Sequence, residues 1–304
     1  MASVGKKRFA IIGVGGYIAP KHVEAIKNTG NELVAALDPN DSVGILDRYF
    51  EDVPFFTEYE RFERFVHKLK REGKGVDFIS VCSPNYLHDT HVRCALSVGA
   101  NAICEKPLVL SPWNIDALAD EEKKNGGTVY NILQLRYLDD IIALRKKYMD
   151  HSGKPLEVSL KYITKRGPWY QVSWKGDEEK SGGVMMNIGI HFFDFLLWVF
   201  GSPTQDPKIE TLTPYKAKGS LQLQRANVNW FLSVDKNDLP PNLGKSAFRS
   251  ITIDGKEVEF SEGFTNLHTK VYQEILAGNG FGLYDAKPSI ELVHKLRTIG
   301  KELQ

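Results

Sequence analysis

Short apolar runs alternate with stretches of helical spacing through the first half of the chain. Residues 9–12, 32–37, 77–81, 102–104 and 128–134 are compact and bounded by glycine, proline or polar turns, the pattern of inner strands covered on both faces. Between them, Tyr59, Phe62, Phe65, Val66 and Leu69 fall on one helical face, and Thr57 with Glu60 has the capping-box spacing that opens such a helix. Helical stretches also follow the first run to about Asn28 and span about 89–98, and Ser111 and Pro112 supply a cap and first-turn proline for another. This alternation predicts a parallel sheet with helical crossovers over residues 1–131, and the chain length leaves 132–304 for a second domain. From Pro155 the texture changes. Residues 156–163 alternate with period two, and further strand-like runs stand at 209–215, 220–224, 226–234, 250–253 and 257–260, predicting one large, mostly antiparallel sheet. Residues 164–183 form a loop rich in Trp, Tyr, Lys and Arg, followed by a helix over 187–200 that ends at Gly201. Two last helices, at about 266–276 and 285–303, carry no chemical signature.

The first run leads directly into Gly13-Val14-Gly15-Gly16-Tyr17-Ile18-Ala19-Pro20. Glycines between a strand and a helix permit a tight turn and let backbone N–H groups approach a pyrophosphate at the helix N-terminus. Asp38 closes the second run. There it can accept hydrogen bonds from an adenine ribose and repel a 2′-phosphate, which favours NAD over NADP; Asp38-Pro39-Asn40 is equally the make-up of an Asx turn. Lys106 follows the fourth run and precedes Pro107, which fixes it in a turn at the carboxyl edge of the sheet, where ligands bind in open α/β sheets. A lysine so held can exchange a proton with a substrate hydroxyl, although most lysines are simply solvated. Asn187, His191 and Asp194 share one face of the 187–200 helix, and a histidine satisfied by Asp194 would explain the grouping without function. His88 and His91 lack a third ligand nearby in sequence, so no metal is expected.

A net charge of +1 without long charge runs argues against nucleic acid or an anionic membrane as partner. The cysteines, Cys82, Cys94 and Cys104, are odd in number and lie in apolar surroundings, as reduced thiols of a cytoplasmic protein do. Residues 1–7 lack the apolar core of a signal peptide, and no run reads as transmembrane.

These features, in this order, resemble the Gfo/Idh/MocA family of nicotinamide-dependent sugar oxidoreductases. The G-x-G turn, Ser83-Pro84-Asn85-Tyr86-Leu87-His88, Glu105-Lys106-Pro107, and Asn187-Ile188-Gly189-Ile190-His191 with Asp194 stand where that family has its motifs, over nearly the whole chain. Gly16-Tyr17-Ile18-Ala19-Pro20, Ile132-Leu133-Gln134-Leu135-Arg136, and Trp169-Tyr170 with Ser173-Trp174-Lys175-Gly176-Asp177 are similar to the bacterial members that oxidise C3 of UDP-N-acetylglucosaminuronic acid. The resemblance implies an α/β fold: an N-terminal Rossmann domain plus a C-terminal α+β domain with a large, mostly antiparallel open sheet that mediates oligomerisation, with a tetramer favoured. It implies NAD contacts from Gly13, Gly15, Gly16, Tyr17, Ile18, Asp38, Ser83, Asn85, His88, Glu105, Lys106 and Gln134. Lys106 and His191 would handle the proton, in either division of roles, because Asn187 stands where many relatives carry Asp. Asn187 would orient the sugar, and Arg136, Arg166, Tyr170, Trp174 and Lys175 would hold the uronate carboxylate and the nucleotide. The glycine turn is one residue longer than the usual family form, which puts Ala19 at the third fingerprint position. The implied setting is O-antigen (lipopolysaccharide) sugar biosynthesis, with 2-oxoglutarate as a hydride acceptor in some relatives. Other readings are a family member acting on an inositol or unactivated sugar, and a non-enzymatic NAD-responsive protein.

Overall fold

The computed structural model describes residues 5–241, 244–258 and 267–302. Residues 1–4, 259–260, 266 and 303, on which parts of the leader, strand and helix expectations rest, lie outside the described residues. The chain divides into two compact units: Met1–Val109, Trp113–Ile132 and Asn266–Ala286 form one, and Leu110–Pro112, Leu133–Thr265 and Lys287–Gln304 the other. A single division after residue 131 therefore misses the segment that returns to the first unit.

In the first unit the apolar runs are strands: β1 (Arg8–Ile12), then α1 (Ala19–Asn28), β2 (Glu32–Leu37), α2 (Ile45–Tyr49), β3 (Phe55–Phe56), α3 (Tyr59–Arg71), β4 (Phe78–Val81), α4 (His88–Ser97), β5 (Asn101–Cys104), α5 (Trp113–Asn125) and β6 (Val129–Asn131). They pair in parallel in the order β3-β2-β1-β4-β5-β6. The order reverses beside β1, which puts a topological switch point between β1 and β4 at the carboxyl ends of the strands. Helix α3 starts at Tyr59 after Glu58, whose side chain makes no capping bond, so the Thr57 capping box does not form. The 128–134 run is also shorter than expected as a strand. Leu133 leaves the extended region at φ −89 and ψ 57, and a 3₁₀ turn over Gln134–Tyr137 begins the second unit.

The second unit holds α6 (Asp139–Tyr148), β7 (Leu156–Thr164), α7 (Pro168–Val172), α8 (Glu178–Ser181), α9 (Ile190–Phe200), β8 (Lys208–Leu212), β9 (Lys216–Gln222), β10 (Ala226–Ser233), β11 (Ala247–Ile253) and β12 (Lys256–Glu257). Its sheet runs β12-β11-β7-β10-β9-β8, antiparallel except for the β7–β10 pair. On β7, Leu156, Val158 and Leu160 are buried while Glu157 and Lys161 are exposed, so the period-two pattern is realised. Helix α9 packs on the buried face, with Phe193 edge-on to Trp230 of β10 at 5.2 Å and Phe192 against Tyr162 of β7 at 4.8 Å. A π-helical turn over Met185–Gly189 precedes it, so the expected helix over 187–200 is α-helical only from Ile190. The helical span Glu178–Phe200 is long and apolar enough to cross a membrane, contrary to the sequence expectation, but 78% of its apolar window is buried within the fold. It is used as a core element. Helix α10 (Leu267–Leu276) lies in the first unit, and α11 (Leu283–Glu302) closes the described chain.

Candidate functional site

The glycine turn is built for close backbone approach. Gly13 has φ +86, and a Cβ on it would lie 2.6 Å from the backbone N of Ser83, so no other residue fits. The Gly15 N–H donates to Asp38 Oδ2 at 2.9 Å, and a Cβ on Gly15 would press on the same carboxylate at 3.0 Å. Asp38 Oδ1 accepts from the Asn40 N–H at 2.9 Å, so the Asx turn forms as well. An ionised carboxylate has about four acceptor positions, so the Asx turn and a ribose contact are compatible. Gly16 and Ile18 are half-buried, Tyr17 is 93% exposed beside the turn, and Ala19 opens α1 in full burial. A small residue at the helix start and a strand-end carboxylate fit a dinucleotide whose ribose lacks a 2′-phosphate. Asp38→Ala should weaken NAD binding by about 10- to 100-fold, the worth of charge-assisted bonds, and narrow the gap to NADP in a calorimetric titration. Equal affinity of the native protein for both dinucleotides would refute this assignment.

At the end of β5, Lys106 is half-buried, and its backbone N–H donates to Glu105 Oε2 at 3.2 Å. The side chains flanking it act as framework more than as cofactor contacts. Glu105 is 6% exposed, and its Oε1 receives His22 Nε2 at 2.9 Å and His268 Nε2 at 3.1 Å. His88 is buried between two carbonyl oxygens, Pro107 O at 2.7 Å from Nδ1 and Ser83 O at 2.8 Å from Nε2, and so braces the loops after β4 and β5. Ser83 Oγ is bonded to His91 Nδ1 at 2.8 Å, and Asn85 is buried in the short turn Asn85–Leu87. The side chains of Ser83, His88 and Glu105 thus each have a protein partner. Gln134, half-buried, opens the 3₁₀ turn of the second unit.

Burial pushes the His22 and His88 pKa values down from the usual histidine value, and burial with the neighbouring His88 takes His91 to about 4. The folded protein then binds fewer protons than the unfolded chain below about pH 6.5. Stability therefore falls as pH drops from there toward 4, with His91 alone contributing about 3 kcal/mol of loss at the lower end. Urea midpoints measured at pH 7 and pH 4.5 should differ accordingly, and a flat profile across this window would contradict the neutral, buried state of these rings.

In the second unit Arg136 has an internal partner. It is buried in a two-pronged pair with Asp194, Nε to Oδ2 at 3.0 Å and Nη2 to Oδ1 at 2.7 Å, with its guanidinium also 5.7 Å from the Trp198 ring. A buried carboxylate demands such a partner. The π turn sets Asn187 out of the simple helical register, and its Nδ2 donates to the Tyr170 hydroxyl at 2.6 Å. Tyr170 is only 4% exposed, so it supports Asn187 and does not flank a sugar with its ring; burial raises its pKa. Arg166 is exposed, with its guanidinium 6.0 Å from the Tyr170 ring. Lys175 lies over Trp169 at 4.9 Å and over Trp174 at 5.5 Å, and both Lys175 and Trp174 are half-buried. His191 is half-buried in the first turn of α9.

His22, His268 and Tyr272 were not singled out from the sequence. His268 and Tyr272 are four apart on an otherwise apolar stripe of α10, with Val271 and Ile275, and that polar pair on a buried face was the available signal.

Comparison with known proteins agrees with this arrangement. Residues 7–132 match the NAD-binding Rossmann-fold domain of the Gfo/Idh/MocA oxidoreductases, and residues 150–215 match their C-terminal alpha/beta domain. The WlbA (WbpB) dehydrogenase from Thermus thermophilus, crystallised with NAD and alpha-ketoglutarate, is 49% identical, with a TM-score of 0.93 over 96% of this chain and 95% of that one. Crystallised with NAD and UDP-GlcNAcA, the Thermus enzyme is 48% identical with a TM-score of 0.92, covering 96% of this chain and 94% of that one. D-glucoside 3-dehydrogenase of Escherichia coli is 30% identical over 129 residues, 42% of this chain and 36% of that protein. Matches to such curated relatives cover 36% to 61% of their length. With both domains matched in order and a full-length likeness near half identity, the chain belongs to the Gfo/Idh/MocA family of NAD-dependent oxidoreductases.

Proposed function

We propose that this protein oxidises the C3 hydroxyl of UDP-N-acetylglucosaminuronic acid to the 3-keto sugar. The observation that carries the reading is the full-length likeness, at 48% identity, to a Thermus dehydrogenase crystallised with NAD and UDP-GlcNAcA. Gly13, Gly15, Gly16 and Asp38 hold the dinucleotide, which when bound accepts the hydride. Lys106 and His191 share the proton work at the C3 oxygen: His191 takes the hydroxyl proton and Lys106 polarises the oxygen, or the reverse. Asn187, held by the Tyr170 hydroxyl, orients the sugar. Arg166, Trp174 and Lys175 hold the uronate and the nucleotide. The Thermus structure with alpha-ketoglutarate supports that keto acid as the acceptor that returns the cofactor to NAD. The setting is the cytoplasm, in sugar synthesis for lipopolysaccharide, with the protein a homo-oligomer, a tetramer by preference. The test is a panel of UDP-sugars with NAD, with and without 2-oxoglutarate, following NADH and the keto product. NADH formation with an inositol and none with any UDP-sugar would sink the proposal.

A further inference from the structure

The hydrogen bonds beneath Lys106 can be given a consistent assignment of protons. Glu105 Oε1 faces two ring nitrogens, His22 Nε2 at 2.9 Å and His268 Nε2 at 3.1 Å, and its Oε2 faces the Lys106 backbone N–H at 3.2 Å. On its far side His22 Nδ1 lies 2.8 Å from the Tyr272 hydroxyl, which is 2.6 Å from Ser80 Oγ. With Glu105 ionised and the His22 ring neutral, each contact has one donor and one acceptor. Ser80 donates to Tyr272, Tyr272 to His22 Nδ1, and His22, His268 and Lys106 donate to the carboxylate. Burial opposes charge on Glu105, but the bonds from His22 and His268 outweigh it and hold its pKa well below the usual carboxylate range. Asn131 Nδ2 ties down the same peptide by donating to Cys104 O at 3.0 Å and Glu105 O at 3.2 Å.

We propose that Glu105, fixed by His22, His268 and Tyr272, is a positioning residue: it anchors the Lys106 backbone and places a buried negative charge behind the lysine. This rests on the reading of Lys106 as a proton-handling group. The titratable groups around Glu105 are His22 from α1, Cys82 after β4, His88 from α4, Cys104 from β5, Lys106 itself, and His268 and Tyr272 from α10. Burial keeps the thiols and the tyrosine protonated and the His22 and His88 rings neutral, so the carboxylate is the anion next to Lys106. An isosteric amide cannot replace it. Three N–H donors converge on the two oxygens, and an amide offers one oxygen and turns two donors of its own toward the rest.

The experiment compares kcat, NAD affinity and the pH profile of kcat in the intact protein. Lys106→Ala comes first. Activity retained there would end the reading of Lys106, and this inference with it. If activity is lost, the limb of the profile that disappears belongs to Lys106. Glu105→Gln should then lower kcat by about 100-fold, the scale of a displaced reacting group, with NAD affinity within about threefold, because the carboxylate does not serve the cofactor. Removing the anion should also move the Lys106 limb to lower pH by on the order of one unit. Unchanged kcat and limb would make Glu105 merely structural and overturn the proposal. Weakened NAD binding with kcat kept would return it to the cofactor and do the same. Stoichiometric zinc in the purified protein, lost with Glu105→Gln, would make His22, Glu105 and His268 metal ligands and also overturn it. Should Glu105→Gln fail to fold, Tyr272→Phe keeps the ring stacked on Phe9 at 5.8 Å and deletes only the hydroxyl. A several-fold fall in kcat with the limb moved the same way supports the proposal; an unmoved limb overturns it.

Discussion

Lys106→Ala and His191→Ala each lower kcat for sugar-nucleotide oxidation by about 100- to 10,000-fold, the range of a positioned acid or base. Lys106 stands at the carboxyl end of β5, next to β4, which itself adjoins the glycine-turn strand β1 in the sheet order. Its backbone is bonded to Glu105, and the side chain is half-buried at the strand end. His191 is half-buried near the start of a helix whose other polar side chain, Asp194, is committed to Arg136. Because the proton leaves the hydroxyl as the hydride leaves carbon, kcat and kcat/KM should fall together. NAD binding and the thermal midpoint should stay near native in both variants. Near-native turnover in either would return that residue to a structural role, and a difference in their pH profiles would tell base from polarising group.

The second large effect concerns the substrate carboxylate. UDP-N-acetylglucosamine, with CH₂OH in place of the acid, should be poorer than the uronate by about 1,000-fold or more in kcat/KM, several steps of ~1.4 kcal/mol per tenfold. A site that pairs a charge rejects a neutral analogue because its own cation is left without a partner. Arg136 already pairs with Asp194. The guanidinium of Arg166, exposed next to the Asn187–Tyr170 pair, is the better candidate, with Lys175 second. Arg166→Met should then erase most of the preference by harming the uronate reaction while leaving the neutral sugar almost as it was. Comparable rates for the two sugars in the native protein would leave the dehydrogenase intact and remove the uronate assignment.

Much of this was legible in the chain. The apolar run ending at Ile12, the glycines that follow and the acid that ends the next run are local, and each has a local cause: strand burial, absence of a Cβ, a carboxylate at a strand end. The period-two pattern of β7 is local too. What could not be read depends on partners far along the chain. The Arg136–Asp194 pair joins residues 58 apart, and the His268–Glu105 contact joins residues 163 apart. Neither separation leaves a trace in composition or periodicity. The π turn over Met185–Gly189 was hidden for a different reason: one residue of slip changes the face on which Asn187 lies without changing which residues are apolar. The resemblance implies Glu105 as a cofactor contact, and what the sequence could not show is that its side chain meets histidines from α1 and α10.

The return of α10 to the first unit has a consequence for how the protein is made. The carboxylate beside Lys106 and the ring of His22 obtain two of their partners, His268 and Tyr272, from residues that leave the ribosome only after Leu133–Thr265, the long stretch of the second unit. At roughly 5–20 residues per second, the nascent dinucleotide unit waits on the order of ten seconds with a buried acid short of a donor. During that interval the first unit is complete in its strands and incomplete in its polar interior. The enzyme's nucleotide half is therefore synthesised first yet reaches its final form only near the end of synthesis.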